Sequence, residues 1–138
     1  GDWCMPPERL DLIHSEDPSR RTDGKLISSA MYYSMLSMMG QMAMTLGIEP
    51  DMMDYDRRQA KLKEAYNRHF FNAETGCYSN NTVTANLLSL EFGLVPDGEE
   101  ERVLQNIVDV TEKTYKIPLR MSSEAIQDFS FAKNCDTI

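Results

Sequence analysis

The side chains in this sequence that have chemistry to offer are scattered. Glu16, Asp17, Glu74 and Glu91 are carboxylates suited to acid and base work, but no spacing among them sets two face to face across a pocket. Each is therefore expected on a loop or a solvated face. His14 lies beside Glu16 and Asp17, yet no second set of ligands at metal-binding spacing accompanies it, so no metal site is predicted. Cys77 and His69 lack a third group to orient the imidazole, which leaves no activated thiolate pair. Cys4, Cys77 and Cys135 are odd in number and far apart, a pattern of neither a disulfide framework nor a zinc cluster. No cofactor is expected.

Whatever these residues do depends on the elements that hold them. Leu26 to Ile48 runs through 23 residues without a charged side chain, in a chain of which 26% is charged. Met31, Met35, Met38 and Met42 share one helical stripe, with Tyr32, Leu36, Met39 and Ala43 on the stripe beside it. Thr22 or Asp23 is placed to cap this helix, and Gly47 to end it in a left-handed conformation. The run is long enough to span a bilayer, but Ser28, Ser29, Ser34, Ser37, Gln41 and Thr45 make it a buried helix of a folded domain instead.

A second helix is expected from a cap at Asp51 to about Phe71, with Tyr55, Gln59, Leu62, Tyr66 and Phe70 inward and Arg57, Arg58, Lys61, Lys63 and Arg68 wet. Asn72 to Asn81 is turn-rich, with Gly76 at positive φ. A third helix covers Thr82 to Phe92, with Val83, Leu87, Leu88, Leu90 and Phe92 as its apolar residues and Gly93 as its stop. Pro96 and Asp97 open a fourth, Asp97 pairing with Glu100 as a capping box and Val103, Leu104, Ile107, Val108, Thr111 and Tyr115 forming its buried stripe. Ser122 caps a short final helix containing Ala125, Ile126, Phe129 and Ala132.

Uncharged and charged helices alternate along the chain. That order implies two layers, one enclosed and one half exposed, as in solenoids and α/α toroids. The expected fold is all-α, a partial (α/α) toroid or barrel of about two helical hairpins plus a short C-terminal helix. It divides into a loop or arm at 1–24, the inner and outer helix pairs at 25–116 and a divergent tail at 117–138, all one domain. The formal charge of −8 argues against nucleic-acid or anionic-membrane partners, which require a basic face.

Gly1-Asp2-Trp3-Cys4, the SEDPSRRTDGKLISSAMYY segment, EAYNRHFFNAETGCYSNNTVTANLLSLEFGLVP and RVLQNIVDVT together resemble the catalytic domain of α-L-rhamnosidases, the family 78 glycoside hydrolases. The similarity covers about residues 1 to 116. Beyond it, Arg120 and Glu124 stand where the family's next stretch has His and Gly. The resemblance implies a barrel of six helix pairs, of which this chain holds about two, and a substrate class of rhamnose-containing glycans. It also implies inverting hydrolysis by an acid upstream and a base downstream of these motifs, neither of which is in this sequence. The chain alone is thus expected to have no catalytic residue. Asp2 and Trp3 match the family's Gly-Asp-Trp, which implies a place near the rhamnose pocket, where an indole packs on sugar C–H faces and a carboxylate accepts hydroxyl hydrogens. Tyr78 and Asn80 are weaker candidates in a second loop. The alternative reading is a non-catalytic helical module that binds carbohydrate or forms a homo-oligomer through its exposed apolar inner helices.

Overall fold

The computed structural model describes residues 20–115. They form α1 (Gly24–Leu46), α2 (Glu49–Phe70), a small antiparallel hairpin of β1 (Phe71–Asn72) and β2 (Cys77–Tyr78), α3 (Val83–Glu91) and α4 (Glu100–Tyr115). The fold is all-α in its layers, two helical hairpins lying side by side. The expected final helix after Ser122 lies outside the described residues, as does the side chain of Tyr115.

Asp23 provides the cap of α1, its carboxylate accepting from the Lys25 amide at 2.8 Å. Gly47 ends the helix at φ 70°, where a side chain would be strained. Leu26, Ala30, Leu36, Gly40 and Ala43 form the buried face of α1. Small residues dominate its far half because α2 lies close: a Cβ on Gly40 would stand 3.7 Å from Tyr55 Cβ. No described helix is long and apolar enough to cross a membrane.

The start of α2 differs from the sequence expectation. The helix begins at Glu49 with Pro50 in its first turn, and Ile48 stands at the cap position without a side-chain bond. Proline tolerates that position because its missing N–H would have had no intrahelical partner, so Asp51 is displaced into the first turn. There it favours the positive end of the helix dipole, as does Glu49. Further along, the Asp54 carboxyl is held below its usual range by hydrogen bonds from Arg57 and Arg58.

α4 also starts later than expected. Asp97 makes no capping box; the Glu100 carboxylate instead accepts from the Gly98 amide at 2.9 Å. Val103 is fully buried, while Leu104, Ile107, Val108 and Thr111 are only half-buried. On α3, Leu87 is exposed and the buried positions are Ala85, Asn86 and Ser89. A short helix wedged between two larger ones leaves room for small side chains on its inner face, so its leucines go to the flanks.

The core is built from Leu26, Ala30, Tyr66, Phe70, Tyr78, Ala85, Leu94, Val95 and Val103, drawn from both hairpins. Each large apolar side chain so buried contributes about 1.5–3 kcal/mol. The turn between the strands is held by α4. Arg102 donates to the carbonyls of Ala73 and Glu74, and Asn106 donates to those of Thr75 and Gly76. Gly76 sits at φ 67°, and a Cβ there would lie 2.6 Å from Arg102 Cγ, Cδ and Nε. Gly76→Ala is expected to cost about 2 kcal/mol, measured by denaturant unfolding. The double variant with Arg102→Ala should cost less than the two single changes added, because the second removes the clash created by the first.

Candidate functional site

The N-termini of α1 and α3 meet at one end of the two hairpins, together with the C-terminus of α2. The cap of α3 is joined directly to the residue before the cap of α1: the Thr22 and Thr82 hydroxyls, both buried, are 2.6 Å apart. Thr82 also accepts from the Ala85 amide at 3.2 Å, so one side chain caps α3 and ties it to the segment entering α1. Next to it, Asn80 Nδ2 donates to the Arg21 carbonyl at 2.8 Å. Two consecutive residues of the arm, Arg21 and Thr22, are thereby fixed to the loop before α3. Thr82→Ala should lower stability by about 1–2 kcal/mol, read as a fall in the thermal midpoint, with Thr82→Ser retaining most of it because its oxygen keeps both bonds.

That loop has an unusual backbone. Ser79 and Asn81 take positive φ, 49° and 58°, a conformation that non-glycine side chains adopt seldom. The helices hold it in place. Asn86, fully buried on α3, accepts from the Tyr78 amide at 2.9 Å and donates to Asn81 Oδ1 at 2.6 Å. Asn67 of α2 accepts from the Tyr78 hydroxyl at 2.7 Å and donates to the carbonyls of Lys63 and Leu94 at 3.0 and 2.7 Å. Among the described residues no buried side-chain nitrogen or oxygen is left without a partner. Such a network is stiff, since each group would lose a bond if the loop moved.

Of the residues singled out in the sequence, Asp2, Trp3, His14, Glu16 and Asp17 lie outside the described residues. Tyr78 does not reach a ligand: it is fully buried with its hydroxyl engaged by Asn67, and burial pushes that hydroxyl's pKa well up. Its place is in the core, against Phe71 and Tyr66. Asn80, by contrast, is exposed on the rim. Glu74 is exposed in the strand turn and Glu91 at the far end of α3, so neither carboxylate joins the rim. Cys77 is buried with its thiol 3.0 Å from the Thr75 hydroxyl. His69 instead stacks edge-on against Phe70, 4.7 Å between centroids. No group of side chains among the described residues is arranged to hold a metal ion.

At the same end a cleft of about 530 Å³ opens between α1 and α2, lined by Lys25, Ser29, Arg68 and His69 over Tyr66 and Phe70. The sequence marked Thr22 only as a possible cap of α1, and it did not mark Asn67 or Asn86 as organising residues. The only signal available was two asparagines inside helices, where their amides compete with the backbone unless a tertiary partner takes them up.

Comparison with known proteins places these features in context. The model of the bacterial alpha-L-rhamnosidase 6 hairpin glycosidase domain matches residues 1–119, the arm and both hairpins together. An alpha-L-rhamnosidase of Alteromonas sp. is 32% identical over 102 residues, covering 72% of this chain and 11% of that protein. An alpha-L-rhamnosidase of Formosa agariphila is 27% identical over 117 residues, covering 81% of this chain and 12% of that protein. The chain therefore spans about a tenth of the length of these curated relatives. No solved structure matches it.

Proposed function

Because this chain belongs to the bacterial α-L-rhamnosidase six-hairpin glycosidase family, we propose that it forms part of the wall and rim of such a toroid, within an enzyme that hydrolyses terminal α-L-rhamnosides with inversion. The observation that carries this reading is the family match, which runs unbroken through the arm, both helical hairpins and the rim loop. In it α1 and α3 are inner helices and α2 and α4 outer ones. The bonds from Thr82 and Asn80 hold Thr22 and Arg21 against the loop before α3. On the resemblance to the family's Gly-Asp-Trp, Trp3 would offer its ring to a sugar face and Asp2 would accept from a hydroxyl.

Inversion requires an acid and a base held roughly 6.5–9.5 Å apart across the sugar, with room for water between them. Glu74 and Glu91, the carboxylates of the described region considered for such a role, are separated from the rim and supply no such pair. The chain by itself is accordingly expected to give no turnover of an aryl α-L-rhamnoside. Turnover that disappears on substitution of Glu16 or Asp17 would overturn that expectation, since it would place the chemistry on the arm. Extending the reading frame on both sides tests the rest: the acid motif should lie before this segment and the base glutamate after it.

A second reading is a helical module that binds carbohydrate or associates with itself. The exposure of Met31, Met35, Met38 and Met42 favours it, because a row of half-exposed thioether side chains is a surface made for contact.

A further inference from the structure

The cleft of about 530 Å³ between α1 and α2 joins an apolar floor to a cationic rim. Leu62, Ala65, Tyr66 and Phe70 make the floor, and Lys25, Arg68 and His69 stand around it. Arg68 and His69 suit the last turn of α2, where the helix dipole favours cations. Lys25 has no such reason to be where it is. It lies in the first turn of α1, at the end of the helix that disfavours a cation, and no acidic residue shares that turn. Asp23 is committed to the Lys25 amide. Arg68 is held only loosely, its contact with Glu64 being 3.4 Å long between side chains 71% and 76% exposed.

Such a cleft fits an occupant that carries carboxylates next to apolar side chains. A neutral sugar offers no charge to the three cations. The chain itself offers the right combination just ahead of α1. Leu10, Leu12 and Ile13 alternate with Asp11 and are followed by Glu16 and Asp17, and no Lys or Arg occurs between Leu10 and Asp17. The reach is sufficient. Asp17 and Glu16 precede Arg20, the first described residue, by three and four positions, about 10–14 Å of extended chain, and Ile13 lies within about 24 Å. Lys25 is only five positions beyond Arg20 and Ser29 one helical turn further. Both walls of the cleft belong to one hairpin and the segment is continuous with α1, so the match does not depend on anything outside this chain.

We propose that residues 10–17 seat in this cleft as a strap, with Leu12 and Ile13 on the apolar floor and the Glu16 and Asp17 carboxylates against Lys25, Arg68 and His69. The strap closes the cleft from within, which makes it a structural seat and not a subsite for substrate. It goes beyond the proposed glycosidase function and stands or falls independently of it.

Disulfide tethering and hydrogen exchange on the 138-residue chain test it. With Cys4 and Cys135 changed to Ser, the Ile13→Cys/Ala65→Cys variant should close a disulfide within one chain on mild oxidation. Ile13→Cys/Asp109→Cys, which points the second thiol to the exposed side of α4, should not. In the unmodified chain the amides of residues 12–17 should exchange more slowly than in a free peptide of the same sequence. Lys25→Glu/Arg68→Glu should speed that exchange about tenfold with far-UV circular dichroism unchanged, and adding Glu16→Lys/Asp17→Lys should restore it. Exchange at the free-peptide rate in the unmodified chain would overturn the proposal, as would a tether to Asp109→Cys that forms as readily as the one to Ala65→Cys. A disulfide found only between chains would also overturn it, by giving the cleft to a second copy. So would inorganic sulfate shifting the His69 resonances while the exchange of residues 12–17 stays unchanged, since the cleft would then be an open anion site.

Discussion

Replacing Tyr66 with Ala is expected to cost about 3–5 kcal/mol, enough to unfold most of a marginally stable domain at ambient temperature. Tyr66 is 2% exposed. Its ring meets Phe70 at 5.0 Å and Tyr78 at 5.6 Å between centroids, so it links α2 to the strand hairpin. Its hydroxyl lies 2.8 Å from Ser89 Oγ, and because the single Ser89 proton goes to the Ala85 carbonyl, Tyr66 is the donor. Truncation would open a cavity beside Phe70 and Tyr78 in the core the two hairpins share. Tyr66→Phe keeps the packing and should cost only about 1 kcal/mol, because Ser89 retains its bond to Ala85. Denaturant unfolding of the two variants separates ring from hydroxyl.

The same hydroxyl predicts an alkaline transition. Burial raises the Tyr66 pKa from its usual value of 10 to about 12, and burial raises Tyr78 as well. The folded state therefore keeps a proton that the unfolded chain gives up near pH 10. Stability is intact below that pH and falls as the pH rises from about 10 toward 12, by about 2–3 kcal/mol for Tyr66 alone. The share of tyrosinate absorbance that comes from Tyr66 and Tyr78 should appear together with the loss of far-UV circular dichroism. Ionisation of all tyrosines with the helices intact would contradict this account.

The second large effect belongs to Asn86. Asn86→Leu preserves volume but leaves the buried Tyr78 amide without an acceptor and Asn81 without its donor. The expected loss is about 2–4 kcal/mol, made of one orphaned backbone donor and one lost side-chain bond. It should also release the rim, because Asn86 holds Asn81 at positive φ. Hydrogen exchange at Tyr78 and Asn81 should then quicken well beyond the global change. An equal increase across α1 and α2 would mean that the loop is held by something other than this amide.

For this protein the sequence alone settled the four helices of the described residues and their order. The uncharged run after Asp23, the stop at Gly47, the cap at Thr82 and the positive φ at Gly76 are local: each depends on a side chain reaching backbone a few residues away, or on the absence of a Cβ. The alternation of uncharged and charged helices reflects how much of each must meet water, which made two layers legible, and the order of the loops carried the family. The tertiary structure decided which polar residues are structural. Tyr78 moved from the rim into the core, and Asn67 and Asn86 became its anchors, because those bonds join positions 8 to 27 residues apart that no local pattern relates. It decided also which side of α1 is covered. Composition declares the whole run apolar, but only the placement of α2 and α3 leaves Met31, Met35, Met38 and Met42 facing outward, since burial is a property of neighbours rather than of the helix itself.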